Sequence, residues 1–405
     1  MIDPEAAWEA LLPHLRALPA ERIERSAAAG RTLAAPLLAT TDLPPCDLSA
    51  LDGFALAGEA GAERGYPVAG TRFAGDSLEN VLSPLAPGSA MRIMTGAAIP
   101  AGADRVVGVE ETACEGGWMR TTVAVPPGAA IRRQGEVVRR GAALLPAGTL
   151  LTPAALALLA SQGIGEVTIH RPPRLALQLT GNEIVPPDET PGPGQLRDSH
   201  SDFLLAELAR LGLPVRSLGI ARDEPEALAA SLERGLVGTD VLLCCGGVSM
   251  GEADFLVPVL ARFGCETLFH GVAIQPGKPL LVARRSHTEG VQLIFGLPGN
   301  PASVMVAWWL FVRPALARLM GSAAGFWTTA LPGKLTAPLG GGKRRDRFVP
   351  ATWRLDAGRP LLTPISPQGS HDLLAFGQAT ALLRVRAGAA ATPAGADCEW
   401  LPLDG

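Results

Sequence analysis

The spacing of apolar residues changes along the chain, and each change marks a different kind of element. Trp8, Leu11, Leu12, Leu15 and Leu18 recur at helical intervals, which predicts an amphipathic helix over residues 4–18. Between residues 44 and 138 the apolar runs shorten to strand length, as in RVVGVE from Arg105 and TTVAV from Thr121, with Gly/Pro groups between them. That pattern predicts a β-rich module. Residues 139–170 then predict a short strand, a helix over Pro153–Ser161 and a second strand, GEVTIH, ending at His170.

From residue 171 to 322 the two periods alternate. Strands are predicted at 175–181, 215–221, 240–245 and 291–297, with helices at 199–211, 225–233, 254–262 and 301–320. Unbroken apolar strands separated by helices imply a doubly wound parallel sheet covered on both faces. The Arg171-Pro172-Pro173-Arg174 break marks its boundary, and residues 323–405 return to short strands and turns. The expected organisation is multidomain α/β plus β. Residues 1–43 with 139–170 form an N-terminal, linker and dimer domain; 44–138 form the β-rich module, 171–322 the α/β domain and 323–405 a C-terminal β-module.

Composition narrows the function. A hydrophobic fraction of 47% against 18% charged residues allows sizeable cores in 405 residues. The net charge of −4 gives no general attraction to nucleic acid or to anionic lipid, so an anionic small molecule needs a local basic pocket. Six cysteines without a CxxC pair suit a reducing compartment, and early acids without a basic leader argue against export; the expected location is cytoplasmic. No charge occurs between Arg140 and Glu166, yet Pro146, Gly148, Pro153 and Gly163 interrupt that interval. It is too broken to cross ~30 Å of hydrocarbon and predicts a buried surface or a subunit contact.

Candidate chemistry collects at the strand ends of the α/β segment, since ligands of open α/β sheets bind beyond the carboxyl edge. The four turns there contain Glu183, Asp223, Gly246-Gly247-Val248-Ser249-Met250-Gly251 with Asp254, and Pro298-Gly299-Asn300-Pro301. Glycines admit close backbone approach, and helix starts after Gly251 and at Asn300-Pro301 offer free N–H groups to an anion. With Lys278 in Gly277-Lys278-Pro279, they would hold phosphate. Glu183, Asp223 and Asp254 beside phosphate favour a bridging Mg²⁺. Singly, each feature has a plain alternative: a tight Gly-Gly turn, a helix cap at Asp223, a solvated Lys278. GxGxxG and GxxxxGK[ST] are both absent, which disfavours a dinucleotide enzyme or a P-loop NTPase.

Six blocks in order resemble one family. Ser49-Ala50-Leu51-Asp52-Gly53-Phe54-Ala55, Arg92–Ala97 and Ile131–Glu136 precede the turns at 246–254, 276–279 and 296–301, and the match runs from about Pro44 to Ser370. Together they are similar to the molybdopterin molybdenumtransferases, whose eukaryotic relatives include the gephyrin E domain. The resemblance implies an elongated homodimer that takes adenylylated molybdopterin and molybdate, uses Mg²⁺ to cleave the phosphoanhydride and releases AMP. It implies a cleft shared between subunits, with Asp52 and Thr95 from the partner. Asp254, Glu183 and Asp223 would serve metal and phosphate, with Asp254 and Glu183 as metal ligands; Lys278, Arg345 and Ser370 would hold molybdate. Exchange with a molybdopterin adenylyltransferase and with molybdoenzymes is a further implication.

The chain departs from the family pattern at Val137, where a carboxylate is usual, at Gly271 and Gln275, where cations are common, and at Pro350, where an arginine is usual. Arg344, Arg345 and Arg347 stand close to the last of these. Two other classes stay open: a non-catalytic scaffold that binds the cofactor, and an adenylyltransferase.

Overall fold

The computed structural model describes residues 1–58, 61, 63–76, 84–248, 255–287 and 290–403. They form two compact units: Met1–Ile23, Ala28–Ala34 and Thr168–Gly405 make one, Glu24–Ala27 and Ala35–Val167 the other.

The first unit is built on a six-stranded sheet. Its strands are β1 (Leu175–Thr180), β2 (Val215–Ala221), β3 (Val241–Cys245), β4 (Glu266–His270), β5 (Leu281–His287) and β6 (Gly290–Leu297), in the order β2-β1-β3-β6-β5-β4. The four strands expected from apolar runs are present and pair in parallel. Both faces are covered, and alternation along the strands divides them. Leu175, Leu177, Leu179, Val241, Leu243 and Cys245 enter one core, while Ala176, Leu242 and Cys244 enter the other.

Strands β4 and β5 correct the all-parallel expectation, because β5 runs antiparallel to both β4 and β6. Their charges hid them. Glu266 and Arg284 are directly opposed across the two strands, and their side chains pair at 2.6 Å, so the charges belong to a cross-strand pair. At the opposite edge from the strand-end turns, the Arg-Pro-Pro-Arg break is a clamp. Arg171 donates to both oxygens of Asp240 at 2.7 and 2.8 Å, and the Arg174 backbone N–H adds a bond at 2.7 Å.

The N-terminal helix is shorter than its stripe. Asp3 caps it by accepting from the Glu5 and Ala6 N–H groups, and it runs only from Pro4 to Leu11. Pro13 then cannot continue the ladder, and Leu12–His14 tighten into a 3₁₀ turn. Ala7, Trp8, Leu11 and Leu15 belong to the same hydrophobic core as Leu175 and Leu177, and Met1–Ile23 falls in the compact unit that holds the α/β sheet.

The helix expected at 301–320 spans Pro301–Leu319 and is long and apolar enough to cross a membrane, but 78% of it is buried inside the chain. It widens to π geometry at Trp308–Val312, just before Pro314, whose missing N–H interrupts the α ladder. Beyond it, Leu331–Leu335, Asp346–Asp356, Arg359–Pro364, Ala381–Val385 and Asp397–Pro402 close into a barrel, since Asp346–Asp356 pairs on both sides. Leu335, Val349, Leu362, Leu383 and Trp400 fill it.

The second unit centres on a six-stranded sheet over Phe54, Leu56, Tyr66, Val107 and Met119. The strand expected at Thr121–Val125 lies earlier, at Trp118–Thr121. Thr121 ends it by donating from its hydroxyl to the Val123 carbonyl and accepting from the Val123 N–H. The helix over Pro153–Ser161 forms where predicted, with Thr152 as its cap.

Candidate functional site

The sheet order reverses at β1, which has β2 on one side and β3 on the other. A crevice opens beyond such a point because the two outgoing loops diverge. Here it has a volume of about 160 Å³ and is lined by Glu183, Asp198, His200, Asp223 and the backbone of Gly246-Gly247, among others. Gly246 has φ +94°, and a Cβ there would lie 2.5 Å from the Thr180 carbonyl oxygen. Only glycine lets β3 leave the sheet so close to β1.

Asp223 is no helix cap. Glu224 holds the cap position of Pro225–Leu236, and Asp223 instead accepts the Asn182 N–H at 3.2 Å while Asn182 Oδ1 accepts the Asp223 N–H. This reciprocal pair ties the loops after β1 and β2 together. The exposed Glu183 carboxylate has no hydrogen-bond or ion-pair partner among the described residues.

A second cleft, about 410 Å³, lies between the Gln275–Pro279 loop and the barrel. Ile274-Gln275 pairs in parallel with Asp346-Arg347, which brings Lys278 to the same cleft as Arg345, Arg347 and Ser370. Arg345 donates to the Ile274 carbonyl at 3.4 Å, and Arg347 to the Gly340 and Gly341 carbonyls at 3.0 Å each. Lys278 is exposed and, among the described residues, unpaired. Asn300 takes the N-cap position of the long helix, but its side chain makes no capping bond. It lines this cleft, whereas its neighbours Gly299 and Pro301 line the crevice. The two spaces meet at that turn.

The structure thus brings Glu183, Asp223, Gly246, Gly247, Gly299 and Pro301 to one space, and Gly277, Lys278, Pro279, Asn300, Arg345 and Ser370 to the other. Pro298 is buried behind the turn. Ser249, Gly251 and Asp254 lie outside the described residues. Asp52 and Thr95 belong to the other unit, where the Asp52 carboxylate accepts the Thr95 N–H at 2.7 Å and its hydroxyl at 2.9 Å. Those two bonds, backbone first, hold the Asp52 carboxyl below its ordinary pKa.

Sequence reasoning missed Asp198 and His200. Asp198 accepts the N–H groups of His200 and Ser201 at 2.9 and 3.0 Å and so starts the helix His200–Arg210. An Asp-Ser pair ahead of an apolar stripe is a helix-start signal that could have pointed to the crevice. Burial lowers the His200 pKa, with Asp198 opposing, and the ring lines the crevice. Of the departures, Gly271 has φ +86°, which a side chain rarely adopts, while Gln275 occupies the cationic cleft as a neutral amide.

The class defined by this geometry is a doubly wound α/β protein with an acidic crevice at the carboxyl edge of its sheet and a cationic cleft completed by a barrel. Family models match in sequence along the chain: the MoeA N-terminal region (domain I and II) at residues 2–163, a "probable molybdopterin binding domain" at 176–318 and the MoeA C-terminal region (domain IV) at 332–403. The molybdopterin molybdenumtransferase of Synechococcus elongatus is 42% identical over 78% of this chain and 80% of its own length. That of Bacillus subtilis is 33% identical over 87% and 83%. The crystal structure of the molybdopterin biosynthesis MoeA protein from Pyrococcus horikoshii superposes with a TM-score of 0.79 at 29% identity, covering 100% of both chains. The chain belongs to the molybdopterin molybdenumtransferase family.

Proposed function

We propose that this chain inserts molybdate into adenylylated molybdopterin and releases AMP. The observation that carries the reading is the meeting of an acidic crevice and a cationic cleft at Gly299-Asn300-Pro301. A ligand laid across that turn has its phosphates over the crevice and its metal-accepting end beside the cations.

Molybdate is a dianion and needs fixed donors. Lys278 supplies a compact charge, Arg345 a planar fork and Ser370 a hydroxyl, all lining one cleft. On the crevice side, the backbone at Gly246, Gly247 and Gly299 is free of side chains and lets phosphate oxygens approach closely. Glu183 and Asp223 present hard oxygen donors there. So sparse a set suits Mg²⁺, which keeps its waters and binds through one or two carboxylates plus phosphate. Bound by Glu183, with Asp254 as the other intended ligand, Mg²⁺ would neutralise charge developing on the phosphates as the anhydride breaks.

The test is anaerobic: purified chain, adenylylated molybdopterin and Mg²⁺, with AMP followed after molybdate is added. Molybdate-dependent AMP release is expected. Binding without turnover would identify a scaffold, and ATP consumption an adenylyltransferase.

The proposal includes a homodimer in which each subunit lends Asp52 and Thr95 to the other's cleft. Its support is the uncharged helix Pro153–Ser161, of which only Leu159 is buried, beside Leu150 at 55% exposure. A monomer mass in light scattering at micromolar concentration would remove the shared cleft. The proposed location is the cytoplasm, in keeping with six free thiols.

A further inference from the structure

We propose that the N-terminal segment Ile2–Glu5 is a clamp that sets the geometry of the cationic cleft, with Glu5 and Asp346 as positioning residues for the bound oxyanion. The inference rests on reading that cleft as the molybdate site.

The segment reaches both walls of the cleft. On the first, the Ile2 N–H donates to the Gly271 carbonyl at 2.9 Å, and the Ala273 N–H donates to the Ile2 carbonyl at 2.7 Å. Ala273 is therefore held by Ile2 through its N–H and by Asp346 through its carbonyl, which accepts the Asp346 N–H at 2.9 Å. The Lys278 loop emerges directly from this short ribbon.

On the second wall the contact is ionic. Glu5 Oε1 accepts from Arg384 Nη2 at 2.5 Å, and Arg384 Nε donates to Asp346 Oδ2 at 2.7 Å. The other Asp346 oxygen accepts the Ala387 N–H at 2.8 Å. The Arg384 side chain is only 3% exposed, and its guanidinium lies 5.1 Å from the Phe326 ring centroid. The buried guanidinium has little freedom, because a shift away from the buried Asp346 strands a charge in a dry setting, while the half-exposed Glu5 holds it from the other side and also faces Arg386 at 3.5 Å. Asp346 sits between Arg345 and Arg347 in sequence, and both line the cleft. Asp346 is buried, so holding it fixes the backbone that carries Arg345 and Arg347.

Such a network is weak evidence for stability alone, since well-packed apolar side chains would serve as well. What it supplies is direction: Lys278 from one wall and Arg345 from the other are referred to the same segment, Ile2–Glu5.

The test uses the full chain with Glu5→Gln, Asp346→Asn and, as a control on the underlying reading, Lys278→Ala. Molybdate affinity is measured by titration calorimetry, AMP affinity in the same way, and folding by thermal midpoint. In Glu5→Gln, molybdate Kd and the molybdate KM are expected to rise about fivefold, with kcat and AMP affinity unchanged; misplaced charges cost binding in this way. Asp346→Asn is expected to cost about tenfold or more. A purely structural role would instead lower the thermal midpoint and weaken both ligands together. The clamp is overturned if folded Glu5→Gln and Asp346→Asn bind molybdate like the parent while Lys278→Ala does not. Should Asp346→Asn fail to fold, Glu5→Gln decides alone. Unchanged molybdate binding in Lys278→Ala removes the reading of the cleft, and the clamp with it.

Discussion

Two spaces share one sheet edge in this chain and are made by different means. The crevice is made by backbone: β1 and β3 diverge, Gly246 lets them do so closely, and carboxylates look in from the loops. The cleft is made by packing: a barrel later in sequence seats against the Gln275–Pro279 loop and contributes arginines and a serine. Opposite charges a turn apart would partly cancel in water. Here they are sorted by wall, so under the proposed function each anionic part of a composite substrate would meet its own environment. Topology alone creates the first space, whereas the second needs the barrel to supply its arginines beside Lys278.

If the spaces act separately, substitutions in each should fail differently. Lys278→Ala should raise the molybdate KM and lower AMP release at low molybdate by about 100-fold, since an oriented cation is lost from a site for a dianion. Glu183→Gln should lower AMP release by a comparable or somewhat smaller factor, roughly 10–100-fold, and shift its Mg²⁺ dependence while leaving molybdate affinity intact. Steady-state AMP release across a grid of molybdate and Mg²⁺ concentrations separates the cases. A Glu183→Gln enzyme that fails only in molybdate binding would collapse the two spaces into one.

The same contrast explains what the sequence made legible. Four parallel strands and their turns follow from apolar runs and Gly-rich punctuation, so Glu183, Asp223, Gly246 and Gly299 could be assigned to one edge before any coordinates. The grouping of Lys278 with Arg345 and Ser370 came from family resemblance, because no periodicity tells which loop a barrel will pack against. β4 and β5 were missed since the Glu266–Arg284 pair looks like surface charge until the partner strand is known. His200 was missed because a histidine one residue past an Asp-Ser start reads as an ordinary first-turn residue. The Glu5–Arg384–Asp346 network joins positions 379 residues apart, and nothing local announces it.

The smallest effect concerns His200, which lines the acidic space together with Arg197 and is the base there that titrates near neutrality. Burial lowers its pKa from the ordinary value near 6.5, and Asp198 only partly opposes this. The folded chain thus resists protonating the ring, whereas the unfolded chain takes up the proton at about 6.5. Between the folded and unfolded values the unfolded state binds more protons, so stability rises with pH there and is lost as pH falls below about 6.5. His200→Asn removes that term. Thermal midpoints between pH 5 and 8 should therefore fall in acid by about 1–2 °C more for the parent than for the variant, and the two curves should run parallel above pH 7. Protonation would also place a cation among Glu183, Asp198 and Asp223, making the crevice more like its neighbour. Phosphate binding that strengthens in acid, below the lowered pKa of the folded ring, in the parent but not in His200→Asn would show that a neutral imidazole maintains the charge difference between the two spaces. Identical acid slopes in the two proteins would mean that His200 stays out of the titration and that the carboxylates alone define the acidic wall.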